Sequence, residues 1–246
     1  MYWCPSQYSF INHISIMTRH KKTLSFLAGT AILTACAIPS VSAATTIINA
    51  TLEGRAIDNT NVTGGVKGNG SGNAFNSGAA QAGAYNSGVD LVGVISFQMT
   101  GVDPTDIVSA DFSSLQNTVN LSDTSLFSIS ANVIRIDASS AGQNSDFEAA
   151  PLTTLMTGFD GNATTDTTAS LDAAGQIILG DWLKSNWVEG EYVFIQLKAD
   201  NTDMQTGSNN LYNYSNSTLT ITTVPEPSSA ALLGLGGLAL IMRRRK

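Results

Sequence analysis

Between residues 44 and 224 the apolar positions fall in short runs rich in Val, Ile, Thr and aromatic residues, separated by Gly, Asn, Asp and Ser. That punctuation predicts strands joined by turns rather than a succession of helices. The best strands are 45–52, 91–99, 126–136, 191–199 and 218–224. In 126–136, Phe127, Ile129, Ala131 and Val133 alternate onto one face and Ile134 and Ile136 then change phase, which predicts a bulge or a strand buried on both faces. One segment, 175–187, has helical spacing, with Ile178, Leu179 and Trp182 toward one side. Several strands and wide loops over about 180 residues predict an all-β domain, a two-sheet β-sandwich with one short helical segment. Residues 59–88 are dense in Gly, Asn and Ser and hold two similar pentads, Ala74-Phe75-Asn76-Ser77-Gly78 and Ala84-Tyr85-Asn86-Ser87-Gly88. Two copies ten residues apart are too few and too short for a repeat architecture, so a loop or a weak edge hairpin is expected.

The two ends follow different patterns. From Met17 a basic stretch (Arg19, His20, Lys21, Lys22) precedes an apolar run over 24–35 and a polar segment ending Val41-Ser42-Ala43. That order predicts a secretory signal peptide over 1–43, cleaved between Ala43 and Ala44. The mixed polarity of residues 1–16 makes Met17 the expected true start. A competing reading is Leu33-Thr34-Ala35-Cys36, which resembles a lipoprotein signal box with Cys36 acylated at the mature N-terminus.

At the other end, Pro225, Glu226 and Pro227 precede an apolar run over 228–242 and the block Arg243, Arg244, Arg245 and Lys246. The apolar run is marginal for a membrane helix, and the basic block fixes its C-terminal end in the cytoplasm. Glycines through the run and three consecutive arginines beside it suit a packed helix poorly. The segment 225–246 resembles the PEP-CTERM sorting signal. The resemblance implies an exported bacterial protein recognised by an exosortase, transiently anchored in the membrane, then released to the cell envelope or the exopolysaccharide matrix. The two prolines hold Glu226 in extended, accessible backbone, a form a processing enzyme can grip.

Composition narrows the chemistry. The 246 residues carry a formal charge of −7, but seven of the twelve basic residues lie in the two tails. Residues 44–224 hold five basic residues against eighteen carboxylates, about −13. Such a domain does not seek nucleic acid or anionic lipid. Both His (His13, His20) and both Cys (Cys4, Cys36) precede Ala44. A Ser-His-Asp or Cys-His nucleophile, a His or thiolate zinc site and an internal disulfide are therefore excluded from the domain. Carboxylate chemistry, hard-cation binding or no chemistry remain. A carbohydrate-active enzyme would need only a carboxylate pair, yet the sequence singles out none, and the domain is expected to be noncatalytic.

A second resemblance lies in the domain itself. The run Tyr85-Asn86-Ser87-Gly88-Val89-Asp90-Leu91-Val92-Gly93-Val94-Ile95-Ser96-Phe97, residues 107–115 with 126–136, and 176–187 followed by 191–200 resemble DNRLRE-type jelly-roll modules. The arginine usually beside the phenylalanine strand is missing. The resemblance implies a noncatalytic surface or carbohydrate-associated module. Trp182, Trp187, Tyr212 and Tyr214 are the candidates for a stacking platform under sugar rings. Asp160, Asn162 and Asp166 place oxygens at alternate positions, as a calcium loop does, without the central glycine and terminal glutamate of an EF-hand. Asp137, Asp146 and Glu148 form a weaker acidic cluster. The negative domain favours a neutral or amino-sugar polysaccharide, or an acidic one bridged by calcium.

Overall fold

A computed structural model describes residues 42–58, 72–85, 89–119, 128–159, 166–199 and 210–224. The described residues form eleven strands and one α-helix: β1 (Ala44–Asn49), β2 (Leu52–Asp58), β3 (Ala74–Ser77), β4 (Ala80–Tyr85), β5 (Val89–Gln98), β6 (Ile107–Val119), β7 (Ile129–Asp137), β8 (Thr153–Met156), β9 (Thr167–Ser170), α1 (Ala173–Asn186), β10 (Tyr192–Ala199) and β11 (Asn210–Thr223). The mostly β character and the single helix agree with the sequence pattern. The two separate sheets do not: all strands join one antiparallel sheet, ordered β8-β7-β10-β5-β4-β11-β6-β9, with β1 on β11 and β3-β2 on β5.

The joint is β5. Ser96 pairs with Phe194 on one edge and Leu52 on the other, while Leu91 pairs with Gly83 and Ile57. Thus β10 and β4 share one edge of β5, one after the other, and β2 runs along the opposite edge. The sheet turns this corner and curls, so its two halves still face each other across one core, as sandwich halves do. Ile95, Phe97, Val193, Ile195, Ile129 and Val133 from one half meet Phe112, Tyr212, Tyr214, Leu219 and Ile221 from the other. Five aromatic rings run through this core in sequence. Phe97 meets Phe112 at 5.9 Å, Phe112 stacks on Phe159 at 4.9 Å, and Tyr214 lies 6.2 Å from Phe159 and 6.5 Å from Tyr212.

The expected strand 45–52 is two strands. At Ala50 and Thr51 the chain leaves β11 for β5, Ala50 N–H donating to the Ser217 carbonyl (3.0 Å) and Thr51 N–H to the Ser96 carbonyl (2.8 Å). The phase change in β7 is both things expected of it. Phe194 pairs with Arg135 and Ile195 with Val133, so Ile134 is the extra residue of a bulge. Ile134 turns to the outer face, where it joins Ala56, Val92, Val94, Phe147 and Phe194 in a second, smaller core. The stretch expected to be a loop or a weak edge hairpin contains β3 and all of β4, and β4 is not an edge strand, since it pairs with both β5 and β11. Ala80 and Ala82 of β4 lie directly opposite Tyr214 and Tyr212 of β11, small residues against large ones.

Asp172 caps α1 by accepting from the Gly175 N–H at 2.7 Å. The buried side of α1 is Gly175, Leu179, Gly180 and Leu183, whereas Ile178, expected inside, is 39% exposed. The two glycines select this face. A Cβ on Gly180 would stand 2.7 Å from the Ser109 Cα, and one on Gly175 would stand 2.8 Å from the Leu155 carbonyl oxygen. The bare side of the helix therefore sets against β6 and β8 and closes the seam of the curled sheet.

Candidate functional site

The residues proposed for a sugar platform do not assemble into one. Tyr212 and Tyr214 have no exposed surface. They alternate with Leu211 and Asn213 in β11 and belong to the aromatic row of the core. This corrects the expectation that they offer a stacking face to sugar rings, since a ring without exposed surface cannot. Trp182 and Trp187 are half-buried and pack on the same core. The Trp187 indole N–H donates to Glu189 Oε2 (3.1 Å), and the other carboxylate oxygen accepts from the Thr100 hydroxyl (2.9 Å) and the Gly101 N–H (3.0 Å). These bonds, led by Gly101, hold the Glu189 carboxyl below the usual carboxylate range. Trp187 thus closes a turn beside β10.

Of the calcium candidates, Asp160 and Asn162 lie outside the described residues, and Asp166 is exposed at the start of β9. Two members of the weaker acidic cluster have a different task. Arg135 Nε and Nη2 bind both oxygens of Asp146 (2.7 and 3.0 Å), Nη1 binds Asp137 Oδ2 (2.7 Å), and Nη2 also donates to the Ala141 carbonyl (2.8 Å). The guanidinium centre lies 3.4 Å above the Phe194 ring. Asp137 and Asp146 are thereby the counter-ions of one arginine, which fixes the excursion between β7 and β8 over the outer core. Among the described residues no three His, Cys, Asp or Glu side chains are grouped to hold a metal ion.

Two concave places among the described residues stand out. The larger, about 590 Å³, is built by three breaks in regular structure: the β1–β2 step, the β3–β4 turn and a bulge in β11. Its walls carry Asn49, Thr51, Glu53, Asn216, Ser217 and Thr218, with Gly78 and Ala50 between them. The β11 register shifts between Ser215 and Thr218, and Asn216 adopts φ 52°, the one positive value at a non-glycine position among the described residues. The bulge turns Ser217 inward, where its hydroxyl donates to Ser114 Oγ (2.9 Å) and its N–H to Glu53 Oε1 (2.7 Å). Gly78 (φ 133°) donates to the Glu53 carbonyl (2.9 Å). Among the described residues no Lys, Arg or aromatic side chain lines this cleft. The second, about 300 Å³, lies on the outer face of β7 and β10 and presents Ser130, Asn132, Thr154, Gln196 and Lys198. There Gln196 Nε2 is already bonded to the Asp146 carbonyl (2.8 Å).

Sequence reasoning did not find the larger cleft. Its residues come from positions near 50, 78 and 217, and only the paired register of β1, β2 and β11 brings them together. The sole local signal was an Asn-Ser pair, Asn216-Ser217, interrupting a β pattern.

The last strand of the described β domain, β11, ends at Thr223. Val224 N–H makes the last backbone bond of the domain, to the Asp106 carbonyl (2.9 Å). From 223 to 246 the chain matches the family described as PEP-CTERM protein-sorting motif. The match contains Pro225, Glu226, Pro227 and the basic block Arg243, Arg244, Arg245 and Lys246, all outside the described residues. Proteins with this motif are bacterial, exported, and sorted at the cell surface by exosortase, and this chain carries it. No curated protein matches the sequence. Residues 1–41, with Cys36 and most of the expected signal peptide, also lie outside the described residues, while Ala43 and Ala44 are exposed, Ala44 opening β1.

Proposed function

We propose that the chain is a noncatalytic envelope or matrix protein whose domain holds polysaccharide after exosortase has processed the tail at Pro225-Glu226-Pro227. The sorting motif over 223–246 carries this reading, because it directs the domain to the cell surface, where polysaccharide is the abundant partner. The domain supplies amides and hydroxyls in its two clefts and a strongly negative net charge, which favours neutral chains over acidic ones except where calcium bridges them. The DNRLRE-like pattern points the same way. The buried carboxylate Asp146 is neutralised by Arg135 rather than set opposite a second acid, which supports a role without catalysis. Cleavage between Ala43 and Ala44 leaves β1 whole. Mass spectrometry of the mature N-terminus separates this from acylation at Cys36.

Affinity electrophoresis of the full exported chain tests the binding. Gels containing dextran, laminarin, galactomannan or alginate are run with calcium and with chelator. Retardation by at least one neutral polymer is expected, and by alginate only with calcium. Unchanged migration in every gel would leave a structural role alone.

A further inference from the structure

We propose that the cleft between the β1–β2 step, the β3–β4 turn and the β11 bulge is the sugar-binding site, taking one or two units of a neutral, hydroxyl-rich polysaccharide through Glu53, Asn49 and Asn216. This rests on the polysaccharide reading above and names its site. Three observations select the cleft.

The first is strain. A left-handed Asn costs somewhat more than a Gly in the same place, and the Asn216 side chain does not repay that cost, since it is exposed and bonds to no other described residue. Its amide projects instead beside the cleft lined by Glu53 and Thr218. The bulge that strains it also pulls Ser217 in and fixes the wall through Ser114.

The second is the state of Glu53. Oε1 is fixed by the Ser217 N–H at 2.7 Å, which orients the carboxylate, and Oε2 has no partner among the described residues. An oriented carboxylate oxygen without a cation accepts a ligand hydroxyl in a charge-assisted bond. Asn49 and Asn216 supply both donors and acceptors, the pairing that adjacent sugar hydroxyls require.

The third is the choice of ligand by charge and size. A lone carboxylate with no Lys or Arg in the walls rejects an acidic sugar. Calcium needs six to eight oxygens at about 2.3–2.6 Å, and a cleft of about 590 Å³ is far larger than such a cage. That volume lies within the about 300–1,000 Å³ of small-molecule sites. Without an aromatic floor each engagement is weak, so retention depends on many sites along one polymer.

The experiment uses the full exported chain in gels of dextran, laminarin and galactomannan, comparing wild type with Asn216→Gly, Glu53→Gln and, as a control in the second cleft, Lys198→Ala. Asn216→Gly suits the left-handed backbone and Glu53→Gln keeps an acceptor for the Ser217 N–H, so both are expected to melt at or above the wild-type temperature. Loss of one charge-assisted bond predicts about tenfold weaker retardation for Glu53→Gln, a loss of similar order for Asn216→Gly, and none for Lys198→Ala. If the wild type is retarded and the two cleft variants are retarded equally, the sugar sits elsewhere and the site assignment falls while the polysaccharide reading stands. If the wild type is retarded by none of the three polymers but by alginate with calcium, this site assignment falls and the polysaccharide reading stands; if no gel, alginate with calcium included, retards it, both fall.

Discussion

Arg135 offers the sharpest measurement on the fold. Its replacement by Ala leaves Asp146, whose side chain is 1% exposed, as a buried carboxylate that has lost both guanidinium bonds. Breaking such a buried pair from one side costs about 3–5 kcal/mol, mostly the uncompensated charge. The lost contact with the Phe194 ring falls within the same figure, because the two effects share one side chain and do not add. Asp137, at 32% exposed and with a single 2.7 Å bond to Arg135, behaves as a surface pair worth less than about 1 kcal/mol. Urea denaturation of the full chain followed by far-UV circular dichroism should therefore order the variants as Arg135→Ala far below Asp137→Ala. Arg135→Ala combined with Asp146→Leu should recover part of the loss, since the stranded charge is gone. A cost below about 1 kcal/mol for Arg135→Ala, or equal costs for Arg135→Ala and Asp137→Ala, would refute the role of this arginine as the pin of the β7–β8 excursion.

Three further outcomes follow from other parts of the molecule. Burial raises the Asp111 carboxyl above its ordinary value against the opposing bond from the Leu171 N–H, so the protonated form is favoured by the fold. Its contribution is present below the unfolded value near 3.8 and is lost as pH rises through the folded value. Asp111→Asn should consequently raise the melting temperature at pH 7 and change it little at pH 3. Gly180→Val should destabilise the domain by about 1–3 kcal/mol in the same denaturation assay, because even a Cβ would lie 2.7 Å from the Ser109 Cα. In cells, changing Arg243, Arg244, Arg245 and Lys246 to Ser should disturb membrane orientation, whereas Pro225→Ala with Glu226→Ala should keep orientation and stop processing. Fractionation and immunoblotting distinguish the two, and identical processing of both variants would count against reading the tail as a unit.

The strands legible in the sequence are those whose inward positions are large and apolar. β5 and β10 alternate Val, Ile, Phe and Leu and were found nearly to the residue. β4 was missed because its inward residues are Ala80, Ala82 and Ala84, which give no hydropathy contrast against a Gly-Asn-Ser background. The same contacts explain the misplaced tyrosines. Tyr212 and Tyr214 fill the space those alanines leave, a complementarity visible only once β4 and β11 are paired. On α1 the helix was legible and its inner side largely so: Leu179 and Trp182 meet the core as expected, but Ile178 does not, because close approach at Gly175 and Gly180 turns the face toward Leu183. The sorting segment was readable because its order is local. The cleft was not, because it is a product of register among distant strands.

Ala44 pairs with Thr223, so the chain enters and leaves the domain side by side. Strand β1 runs away from that point, and its last residue, Asn49, is in the cleft wall opposite Thr218. Five strand steps separate the two ends by about 17 Å. The two ends where processing is expected thus meet at one end of the β1–β11 pair, and the cleft with Asn49, Asn216 and Glu53 is at the other. On the function proposed above, capture of a polymer and trimming of the chain occupy opposite ends of that strand pair, so neither blocks the other and the fold imposes no order on them.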